Sequence, residues 1–564
     1  MFETFKKEIV SQVAALSGVS AELIEPAIGQ PADSSHGDLA LTVPRLRMGG
    51  SPVAAARSLA EQFKPTAAVT AAVATGPYVN FRLNKALLAS KVLGAVHAAG
   101  SKFGCTSSGA GKRVIVEFSS PNIAKTFHVG HLRSTIIGNF IYNLHKAHGW
   151  DAIAMNYLGD WGKQYGLLAV GFERHGSEEK LAADPINHLF DVYVKVNADA
   201  EEDPAIHDAA RAYFKKMEDG DEAALALWRR FRSMSIEKYQ TTYARLGVHF
   251  DVYSGESQVG DGVARAMAML QDTGLLTEDD KGGKIVDLTA HRLDRAVVQK
   301  TDGATLYITR DIGAAIQRHE EYAFDKIIYV VSTEQDYYLK QLFKIIELLG
   351  LPYADRFQHI NYGLVKGMST RKGTVVFLDD LLDECASKMH SVMRANEEKY
   401  QGIADPEHTA DVLGMSAILI QDMSAKRIKD YTFNWDRMLS SEGDTGPYLQ
   451  YTHARLCSLE RRVAVGVNPD ADMALLTEDA AHSIISLIAS YPDVLSAALV
   501  SMEPCNIVQY LFKLCHAISS AWNTMRVLGE PDDLAEARLL VYWSARVVLC
   551  NGLTLLGLRP LERM

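Results

Sequence analysis

The sequence predicts a multidomain α/β protein, with a parallel, doubly wound sheet in its middle, a smaller α+β region before it and an all-helical region after it. The chain has 564 residues, of which 48% are hydrophobic and 23% charged, which is enough for several hydrophobic cores. A strand–helix–strand rhythm, typical of parallel sheets, occurs twice in the middle part. Strand patterns nearly disappear after about residue 386, where apolar residues recur at helical spacing.

The first strand–helix–strand unit is predicted over residues 113–160. RVIVEF, which begins at Arg113, is a β-branched run of the kind that forms a strand buried on both faces of a sheet. A helical pattern follows from about Val129 to His148, and DAIAMNYLGD supplies a second strand. The same rhythm returns over residues 325–365, so the sheet is split in sequence.

Three domains follow from this organisation. Residues 1–105 mix helical and strand-like segments and end in the turn-rich segment GCTSSGAGK. The central domain is predicted at 106–385, with an insertion over the sheet edge at about 170–300. A helical bundle is predicted at 386–564.

Composition excludes several classes of protein. Lys plus Arg number 58 and Asp plus Glu 69, so the net charge of −11 argues against a chain that coats nucleic acid through bulk positive charge. The six cysteines form no CxxC pair and no metal-ligand spacing, which predicts free thiols in a reducing compartment.

The N-terminal segment lacks the features of a signal peptide, and the most apolar window, 483–502, is interrupted by Pro492 and Asp493. We therefore expect a cytoplasmic protein in which that window forms a buried helix pair and not a membrane span.

The stretch EFSSPNIAKTFHVGHLRST, which begins at Glu117, lies where the first strand is followed by a helix N-terminus. In open α/β sheets this crevice is the usual ligand site, and helix N-termini suit phosphate. Neither GxGxxG nor a P-loop is present at this point, which disfavours a dinucleotide-dependent oxidoreductase. The stretch contains His128 and His131, three residues apart, with Gly130 between them. A metal site or a surface helix would also suit such a tetrapeptide, but no third metal ligand is evident.

HVGH resembles the HIGH signature of class I aminoacyl-tRNA synthetases. That class has a second signature, KMSKS, after its last strand, and GLVKGMSTRKG stands at this place with Met368 and Ser369 matching it. Gly367 and Thr370 replace the two lysines, which would neutralise the charge of a triphosphate. The candidates to take over that role are Lys125, Arg371 and Lys372.

Five ordered blocks are similar to the arginyl-tRNA synthetase family in particular: SSPNIAKTFHVGHLRST, YLGDWGKQYG, DGATLYITRDIGAA, MSTRKG and GDTGPYLQYTHARL. The resemblance implies a Rossmann-like catalytic domain with an insertion, an N-terminal domain that contacts the tRNA elbow, and a C-terminal anticodon-binding bundle. It further implies that L-arginine reacts with ATP to give arginyl-adenylate and pyrophosphate, only in the presence of tRNA. Arginine would then pass to the 3′-terminal ribose of arginine tRNA.

The resemblance assigns ATP to the two signatures, and positioning and charge stabilisation should dominate catalysis. Neither histidine is expected to act as a general base. Mg²⁺ would accompany ATP without a protein cage of its own, and no tightly bound metal or organic cofactor is expected. The ATP contacts implied are His128, Gly130, His131 and Met368, with Lys125, Ser369, Arg371 and Lys372 as further catalytic candidates.

Arginine requires carboxylates arranged for its planar fork of donors. By the family match, Tyr307 and Asp311, four residues apart on one helical face, are the guanidinium site; the alternative for Asp311 is a pair with the neighbouring Arg310. Glu117 could equally be a helix cap or a salt-bridge partner, and Glu256 a solvated turn residue. The remaining arginine contacts implied are Asn122, Glu117, Gln335 and Glu256.

The tRNA contacts implied are aromatic faces and donors able to grip unstacked bases. Helical bundles also bury aromatic residues routinely, so the alternative for each aromatic residue is a core position. A monomer is the usual state of the family. The candidates are Tyr448, Tyr451, His453, Arg455, Trp522, Asn523 and Arg526 in the tail, and Arg45, Asn80 and Phe81 in the N-terminal region.

Two alternative functions are weighed. Another enzyme of the same fold, such as a nucleotidylyltransferase, would share HVGH but would not need Tyr307 and Asp311. A non-catalytic tRNA-binding descendant of the enzyme would be expected to have lost Lys125, His128, His131 or Asp311, and all four are present.

Overall fold

The computed structural model describes residues 2–564 apart from 32, 34–35, 124–126, 128, 302, 367–377, 396, 435–437, 439 and 441–442, and it describes only the backbone at 129, 398 and 399.

The N-terminal region is a four-stranded antiparallel sheet, in the order β1-β2-β4-β3, covered by helices. The hairpin between its last two strands turns on Gly76, whose φ of 56° suits a residue without a side chain. The last helix of the region rests on the C-terminal bundle, where Lys85 pairs with Asp479 at 3.0 Å. The elements are α1 (Glu3–Ser17), α2 (Ala21–Ile24), β1 (Ile28–Gly29), β2 (Leu39–Thr42), α3 (Pro52–Gln62), β3 (Val69–Thr75), β4 (Tyr78–Leu83) and α4 (Lys85–Ala99).

The central region is built on a five-stranded parallel sheet in the order β12-β11-β5-β6-β7. The predicted parallel, doubly wound sheet is therefore confirmed. Its elements are β5 (Arg113–Glu117), α5 (Val129–Ala147), β6 (Asp151–Leu158), β7 (Val252–Gly255), α11 (Gly260–Asp272), α12 (Tyr307–Tyr322), β11 (Lys326–Ser332), α13 (Asp336–Leu348), β12 (Phe357–Tyr362) and β13 (Val365–Lys366).

Both faces of this sheet are buried, because alternate residues of each strand enter different cores. Val114 and Val116 of β5 belong to the large core that includes α5, while Ile115 faces the core that includes α12 and α13. Glu117 follows Ile115 by two residues and lies on the α12 side. The polar residues at this end of the strands therefore line the space between the sheet and α12.

The region predicted as an insertion, about 170–300, contains more than an insertion. The helices between residues 178 and 245 pack on one another and on α6 (Lys163–His175), whereas a later helix of the region packs against α12, and β7 pairs with β6 as an edge strand of the central sheet. A short strand with few apolar residues carries little β signal, which is why the sequence did not reveal it. The other elements are α6 (Lys163–His175), α7 (Glu178–Ala183), α8 (Pro185–Glu202), α9 (Ala205–Glu218), α10 (Glu222–Arg245) and the antiparallel strands β8 (Leu276–Glu278), β9 (Lys284–Val286) and β10 (Ala296–Gln299).

The described part of the C-terminal region is helical, apart from a two-residue strand that pairs with β13. The predicted boundary at 385/386 falls inside a helix that begins at Leu378 and packs against a later tail helix. The elements are α14 (Leu378–Arg394), α15 (Glu397–Gln401), α16 (Pro406–Met423), β14 (Tyr431–Thr432), α17 (Gly446–Arg462), α18 (Asp479–Ser501), α19 (Pro504–Ala521) and α20 (Asp532–Leu555).

The most apolar window forms one continuous helix, α18, with Pro492 inside it, so the predicted helix pair is wrong. Packing of α18 against α19 and α20 holds the helix together across the proline. By length and composition alone, α18 is the one helix among the described residues that could cross a membrane, and 44% of its most apolar window is buried inside the protein.

Candidate active site

The turn between β5 and α5 is tied to the helix by hydroxyl groups. The Ser134 hydroxyl accepts a hydrogen bond from the Ser119 backbone N–H at 2.9 Å, and the Thr135 hydroxyl lies 2.8 Å from the Ser119 hydroxyl. Ser119 and Ser120 have φ values of 70° and 46°, a left-handed conformation that is uncommon for residues with side chains. The N-terminus of α5 is thereby held at the carboxyl end of the sheet, the usual ligand site of such folds.

The first signature lies at this helix N-terminus, where Lys125 and His128 fall outside the described residues. Gly130 is exposed in the first turn of α5, and the His131 ring stacks on Phe127 with 5.2 Å between ring centroids and 8° between planes. Phe127 in turn contacts Tyr239 and Tyr243 of α10. The His131 ring therefore has a fixed orientation beside exposed backbone.

The second signature lies in 367–377, so Met368, Ser369, Arg371 and Lys372 are outside the described residues. Residues before and after it contact residues that flank the first signature. Leu378 donates its backbone N–H to the Phe127 carbonyl at 3.0 Å, and the Gly363 carbonyl accepts from the Arg133 guanidinium at 2.6 Å.

Asp311 is the central group of a polar pocket between the sheet and α12. Tyr307 is the first residue of α12 and is 63% exposed, and Asp311 follows one turn later on the same face. The Tyr338 phenol, from α13, donates a hydrogen bond to the Asp311 carboxylate. The carboxyl group is enclosed although the residue is only half-buried, and burial raises the pKa of Asp311 to about 6, against the lowering effect of the Tyr338 hydrogen bond.

Glu256 lies in a turn directly after β7 and faces the same pocket. Arg310 Nη1 lies 3.4 Å from Glu256 Oε2, so the guanidinium of Arg310 pairs with Glu256 and not with Asp311. Burial raises the pKa of Glu256 to about 7; the nearby Arg310 lowers it, and the charges of Asp311 and Asp160 raise it further. Glu256 is therefore a partly enclosed acid and not a solvated turn residue.

Asp160 fixes the turn that carries Glu256. Its buried carboxylate accepts hydrogen bonds from the Ser257 backbone N–H at 2.9 Å, the Ser257 hydroxyl at 2.8 Å and Arg232 Nε at 2.7 Å. Gly255 makes room for it, because a Cβ there would lie 2.3 Å from Asp160 Oδ2. The turn carrying Glu256 is therefore fixed by Asp160 at the residues on either side of Glu256.

Glu117 has a partner inside the protein. Its Oε2 lies 2.5 Å from Arg318 Nη1, and both side chains are buried. The Arg318 guanidinium lies 4.7 Å from the centre of the Tyr157 ring. Burial raises the pKa of Glu117, and the adjacent Arg318 opposes this effect. The salt-bridge alternative considered for Glu117 is the arrangement observed.

The pocket contains one more carboxylate than guanidinium groups. Three carboxylates, Glu117, Asp160 and Glu256, each pair with an arginine, whereas Asp311 makes no ion pair with any described residue. Burial and the nearby charge of Glu117 raise the pKa of Asp311, and the lowering effects of Tyr338, Arg318 and Arg310 do not offset them. The pocket is therefore suited to a ligand that brings a positive charge.

Two further predicted contacts lie at the ends of neighbouring strands. Asn122 is half-buried and lies against Gly159, where a Cβ would approach Asn122 Oδ1 to 1.8 Å. The Asn122 carbonyl accepts a hydrogen bond from the Tyr239 phenol at 3.2 Å. Gln335 is exposed in the turn between β11 and α13.

Comparison with known proteins decides the family. A family model described as "tRNA synthetases class I (R), catalytic domain" matches residues 94–435, one for the DALR anticodon-binding domain matches 449–564, and one for the arginyl-tRNA synthetase N-terminal domain matches 3–83. Among curated relatives, the cytoplasmic arginine-tRNA ligase of Saccharomyces cerevisiae is 50% identical over 100% of this chain and 95% of its own length. This chain belongs to the arginyl-tRNA synthetases.

Other relatives agree with this assignment, and the family resemblance predicted from the sequence is confirmed. The probable cytoplasmic arginine-tRNA ligase of Dictyostelium discoideum is 49% identical over 99% of this chain and 100% of its own length. The mitochondrial arginine-tRNA ligase of Saccharomyces cerevisiae is 46% identical over 100% of this chain and 89% of its own. The structure of Thermus thermophilus arginyl-tRNA synthetase shares the fold, with a TM-score of 0.82 over 100% of both chains at 21% identity.

Three of the residues expected to contact tRNA in this arginyl-tRNA synthetase, His453, Asn80 and Phe81, are buried, which corrects the prediction for them. His453 is 1% exposed, and its Nδ1 lies 2.8 Å from the Leu561 carbonyl oxygen. Asn80 is 3% exposed and donates to the Thr75 hydroxyl at 3.0 Å. Asn80 lies on a strand and His453 on a helix. Each of these elements buries one face against the core, including any polar residue on that face. Phe81 is also fully buried.

The remaining tail candidates are accessible to different degrees. Arg455 places its guanidinium 3.7 Å from the centre of the Trp522 ring, and both residues are half-buried. Tyr451 is exposed, and the half-buried Tyr448 hydroxyl lies 3.0 Å from that of Ser519. Asn523, Arg526 and, in the N-terminal region, Arg45 are exposed.

Sequence reasoning did not single out Asp160, Arg318 and Tyr338. Asp160 carried a usable signal, because it is a carboxylate directly after a parallel strand of the central sheet. Arg318 and Tyr338 carried none, since each reaches the pocket only through the packing of α12 and α13 on the same face of the sheet.

Proposed function

We propose that the Asp311–Glu256 pocket of this arginine-tRNA ligase binds the guanidinium group of L-arginine. The observation that supports it most is the state of Asp311, an enclosed carboxylate that is oriented by the Tyr338 phenol and lacks a counter-ion among the described residues. A guanidinium group supplies the missing charge and the planar donors that a carboxylate accepts in pairs. Lysine offers only a compact ammonium group.

ATP is proposed to bind at the N-terminus of α5. The exposed backbone at Gly130 offers a surface for the flat adenine base, and the helix N-terminus suits a phosphate. We expect His131, whose ring stacks on Phe127, to contact the nucleotide. His128, Lys125 and the second signature, which lie outside the described residues, are expected to contribute further contacts. Mg²⁺ would enter bound to the ATP phosphates; no group of three His, Cys, Asp or Glu side chains in the described part of the chain is placed to hold a metal ion.

The reaction proposed has two steps. A carboxylate oxygen of arginine attacks the α-phosphorus of ATP, the bond to the bridging oxygen breaks, and pyrophosphate leaves. A 3′-terminal ribose hydroxyl of tRNA then attacks the carbonyl carbon of the adenylate, and AMP leaves. The protein holds the reactants in line and stabilises the charge on the transferred groups.

The division of labour among domains follows the same proposal. Residues 1–105 would contact the tRNA elbow, 106–385 would catalyse the reaction, and 386–564 would bind the anticodon, with Arg455 and Trp522 as the contact we favour. A cytoplasmic location is proposed, in line with the names of the Dictyostelium and Saccharomyces relatives, and a monomer is proposed from the usual state of the family. Size-exclusion chromatography near 62.0 kDa and cell fractionation test these two points.

The central test is ATP–pyrophosphate exchange with each amino acid, with and without tRNA. Among the amino acids, we expect only arginine to support exchange, and only when arginine tRNA is present. Exchange with lysine or glutamate, but not with arginine, would overturn the assignment.

The arginine site is tested by Asp311→Asn, which keeps the shape of the side chain and removes its charge. Loss of a charge-assisted hydrogen bond is worth about 1.5–3 kcal/mol, so KM for arginine should rise roughly 10- to 150-fold while KM for ATP changes little. Asp272→Asn, at an exposed position on α11, is the matched control. Equal effects on both KM values would show that Asp311 is structural.

A further inference from the structure

Arg133 and Asp422 form an ion pair in the interior of the protein. Arg133 Nε lies 3.3 Å from Asp422 Oδ2, and each side chain is 1% exposed. A buried ion pair is costly unless further hydrogen bonds satisfy its donors and acceptors. Here Arg133 Nη1 donates to two backbone carbonyls, those of Gly363 at 2.6 Å and Lys429 at 2.9 Å.

These contacts join three parts of the chain that are far apart in sequence. Arg133 lies on α5, two residues after His131. Gly363 follows β12 and precedes the second signature, while Asp422 and Lys429 belong to the tail, at the end of α16 and shortly before β14. A single guanidinium group therefore links the helix that carries the first signature, the segment before the second signature and the C-terminal region.

The tail segment Arg427 to Thr432, which we name the strap, binds the residues before the second signature. Backbone pairing joins β14 of the strap to β13 in parallel, with Val365 opposite Tyr431 and Lys366 opposite Thr432. The Tyr431 ring covers the Arg133 guanidinium, whose central carbon is 5.2 Å from the ring centre.

Side chains of the strap add to this pairing. Arg427 Nη1 donates to the Asn361 carbonyl at 2.6 Å, and Asp430 accepts from the Leu364 N–H at 2.8 Å and pairs with Lys366 at 2.9 Å. The contact leaves no room for a side chain at Gly363, because a Cβ there would lie 2.7 Å from both Asp430 Oδ1 and the Ile428 carbonyl oxygen.

We propose that Arg133 is a positioning residue for ATP: with Asp422 and the strap, it holds Gly363–Lys366 at a fixed place relative to His131. We do not expect Arg133 to touch the nucleotide. It acts through the backbone that leads into the second signature. After that signature, Leu378 donates its backbone N–H to the carbonyl of Phe127, close to the first signature. The arginine pocket lies on the other face of the sheet and makes none of these contacts, so the effect should be confined to ATP. The inference rests on the proposed ligase activity.

The first test is Arg133→Lys in the full-length chain. A lysine keeps the charge beside Asp422 but lacks the planar fork that reaches two carbonyls and a carboxylate together. We expect KM for ATP to rise about tenfold or more, with KM for arginine within about threefold of the wild-type value. Arg538→Lys alters a largely buried ion pair in the bundle, where the side chains of Arg538 and Glu478 are 11% and 17% exposed; it is the control and should change neither KM.

Two further variants separate positioning from folding. Arg133→Met combined with Asp422→Leu removes both buried charges. Replacing a buried ion pair by apolar residues often leaves the stability of the protein unchanged or increased, but the hydrogen bonds to Gly363 and Lys429 stay lost. Asp430→Ala, at a partly exposed position, weakens the strap without disturbing the interior. Both should raise KM for ATP selectively, and thermal melting identifies the variants that fold.

The inference is overturned if folded Arg133→Lys and Asp430→Ala proteins keep the wild-type KM for ATP, or if KM for ATP and KM for arginine rise together. A wild-type protein without arginine-dependent exchange would refute the proposed function itself, which is a different result.

Discussion

The Tyr338 phenol donates its hydrogen bond to the carboxylate of Asp311. The two residues lie on different helices, α13 and α12, and meet only because both helices pack on one face of the sheet. A hydrogen bond to the charged form of an acid favours that form. Tyr338 therefore works against the burial that raises the pKa of Asp311.

Tyr338→Phe should weaken arginine binding because it removes this hydrogen bond. The pKa of Asp311 would rise further above about 6, and the carboxylate would lose its fixed orientation. We expect KM for arginine to rise about 5- to 20-fold, equivalent to about 1–2 kcal/mol, with KM for ATP unchanged. Tyr337→Phe, at the exposed neighbouring position, is the control. Indistinguishable effects of the two variants would contradict the role of Tyr338.

The pH dependence of kcat/KM for arginine should report the two pocket acids. Burial raises the pKa of Asp311 to about 6 and of Glu256 to about 7. Each acid is ionised above its pKa and neutral below it, and only the ionised form attracts a guanidinium ion. We therefore expect kcat/KM to rise from about pH 5 to about pH 8 and then level off, with the two acids titrating as a coupled pair.

A matched measurement with Asp311→Asn should remove the lower part of this rise. A wild-type profile that is flat over the same range would show that neither acid must ionise for arginine to bind.

Asp160→Asn should affect both arginine binding and stability. The Ser257 contacts that orient Glu256 weaken, and Arg232 loses the charge of its partner. We expect KM for arginine to rise roughly 3- to 10-fold and the free energy of unfolding to fall by about 1–3 kcal/mol, measured by denaturant titration. Asp251→Asn, which also accepts a hydrogen bond from sheet backbone, is the control. Lost stability with an unchanged KM would restrict Asp160 to a structural role.

Arg455 should contribute to tRNA binding through its charge and its contact with Trp522. Arg455→Gln should lower tRNA affinity and, if a phosphate is contacted, reduce the salt dependence of log K by about one unit. Arg455→Lys keeps the charge but loses the planar contact, so it should retain the salt dependence while binding more weakly. Equal affinity of the wild type and both variants would exclude this contact.

His453→Gln serves as the comparison for tRNA binding in the same helix. Because His453 is buried against the Leu561 carbonyl, the variant should lower stability without changing tRNA affinity in the folded protein.

Local patterns predicted the elements of the central sheet well, because its strands are short β-branched runs and its helices carry apolar stripes. The observed β5, α5 and β6 lie close to the segments predicted for them. β7 was missed, since four residues with little apolar character become a strand only when β6 is beside them. The single helix α18 was missed for a related reason: neighbouring helices stabilise it across Pro492.

The candidate site could be proposed from the sequence where one residue carries the chemistry, as at Asp311, whose role as the guanidinium site stays a prediction. It was not predicted where a role depends on a neighbour in space. Arg310 pairs with Glu256 and not with Asp311, and His453 and Asn80 face the interior. Such outcomes depend on which face of a helix or strand is covered, which one sequence does not specify residue by residue.

By itself, the sequence determined the family, the parallel central sheet, the order of its regions and the segments that carry the two signatures. Each of these is encoded locally, in a run of residues whose spacing or identity is sufficient. Only the tertiary structure decided that Asp311 makes no ion pair with another described residue, that Asp160 anchors the Glu256 turn, and that Arg133 joins the approaches to both signatures. These are properties of groups brought together from distant parts of the chain, where burial and electrostatics depend on the whole packed interior.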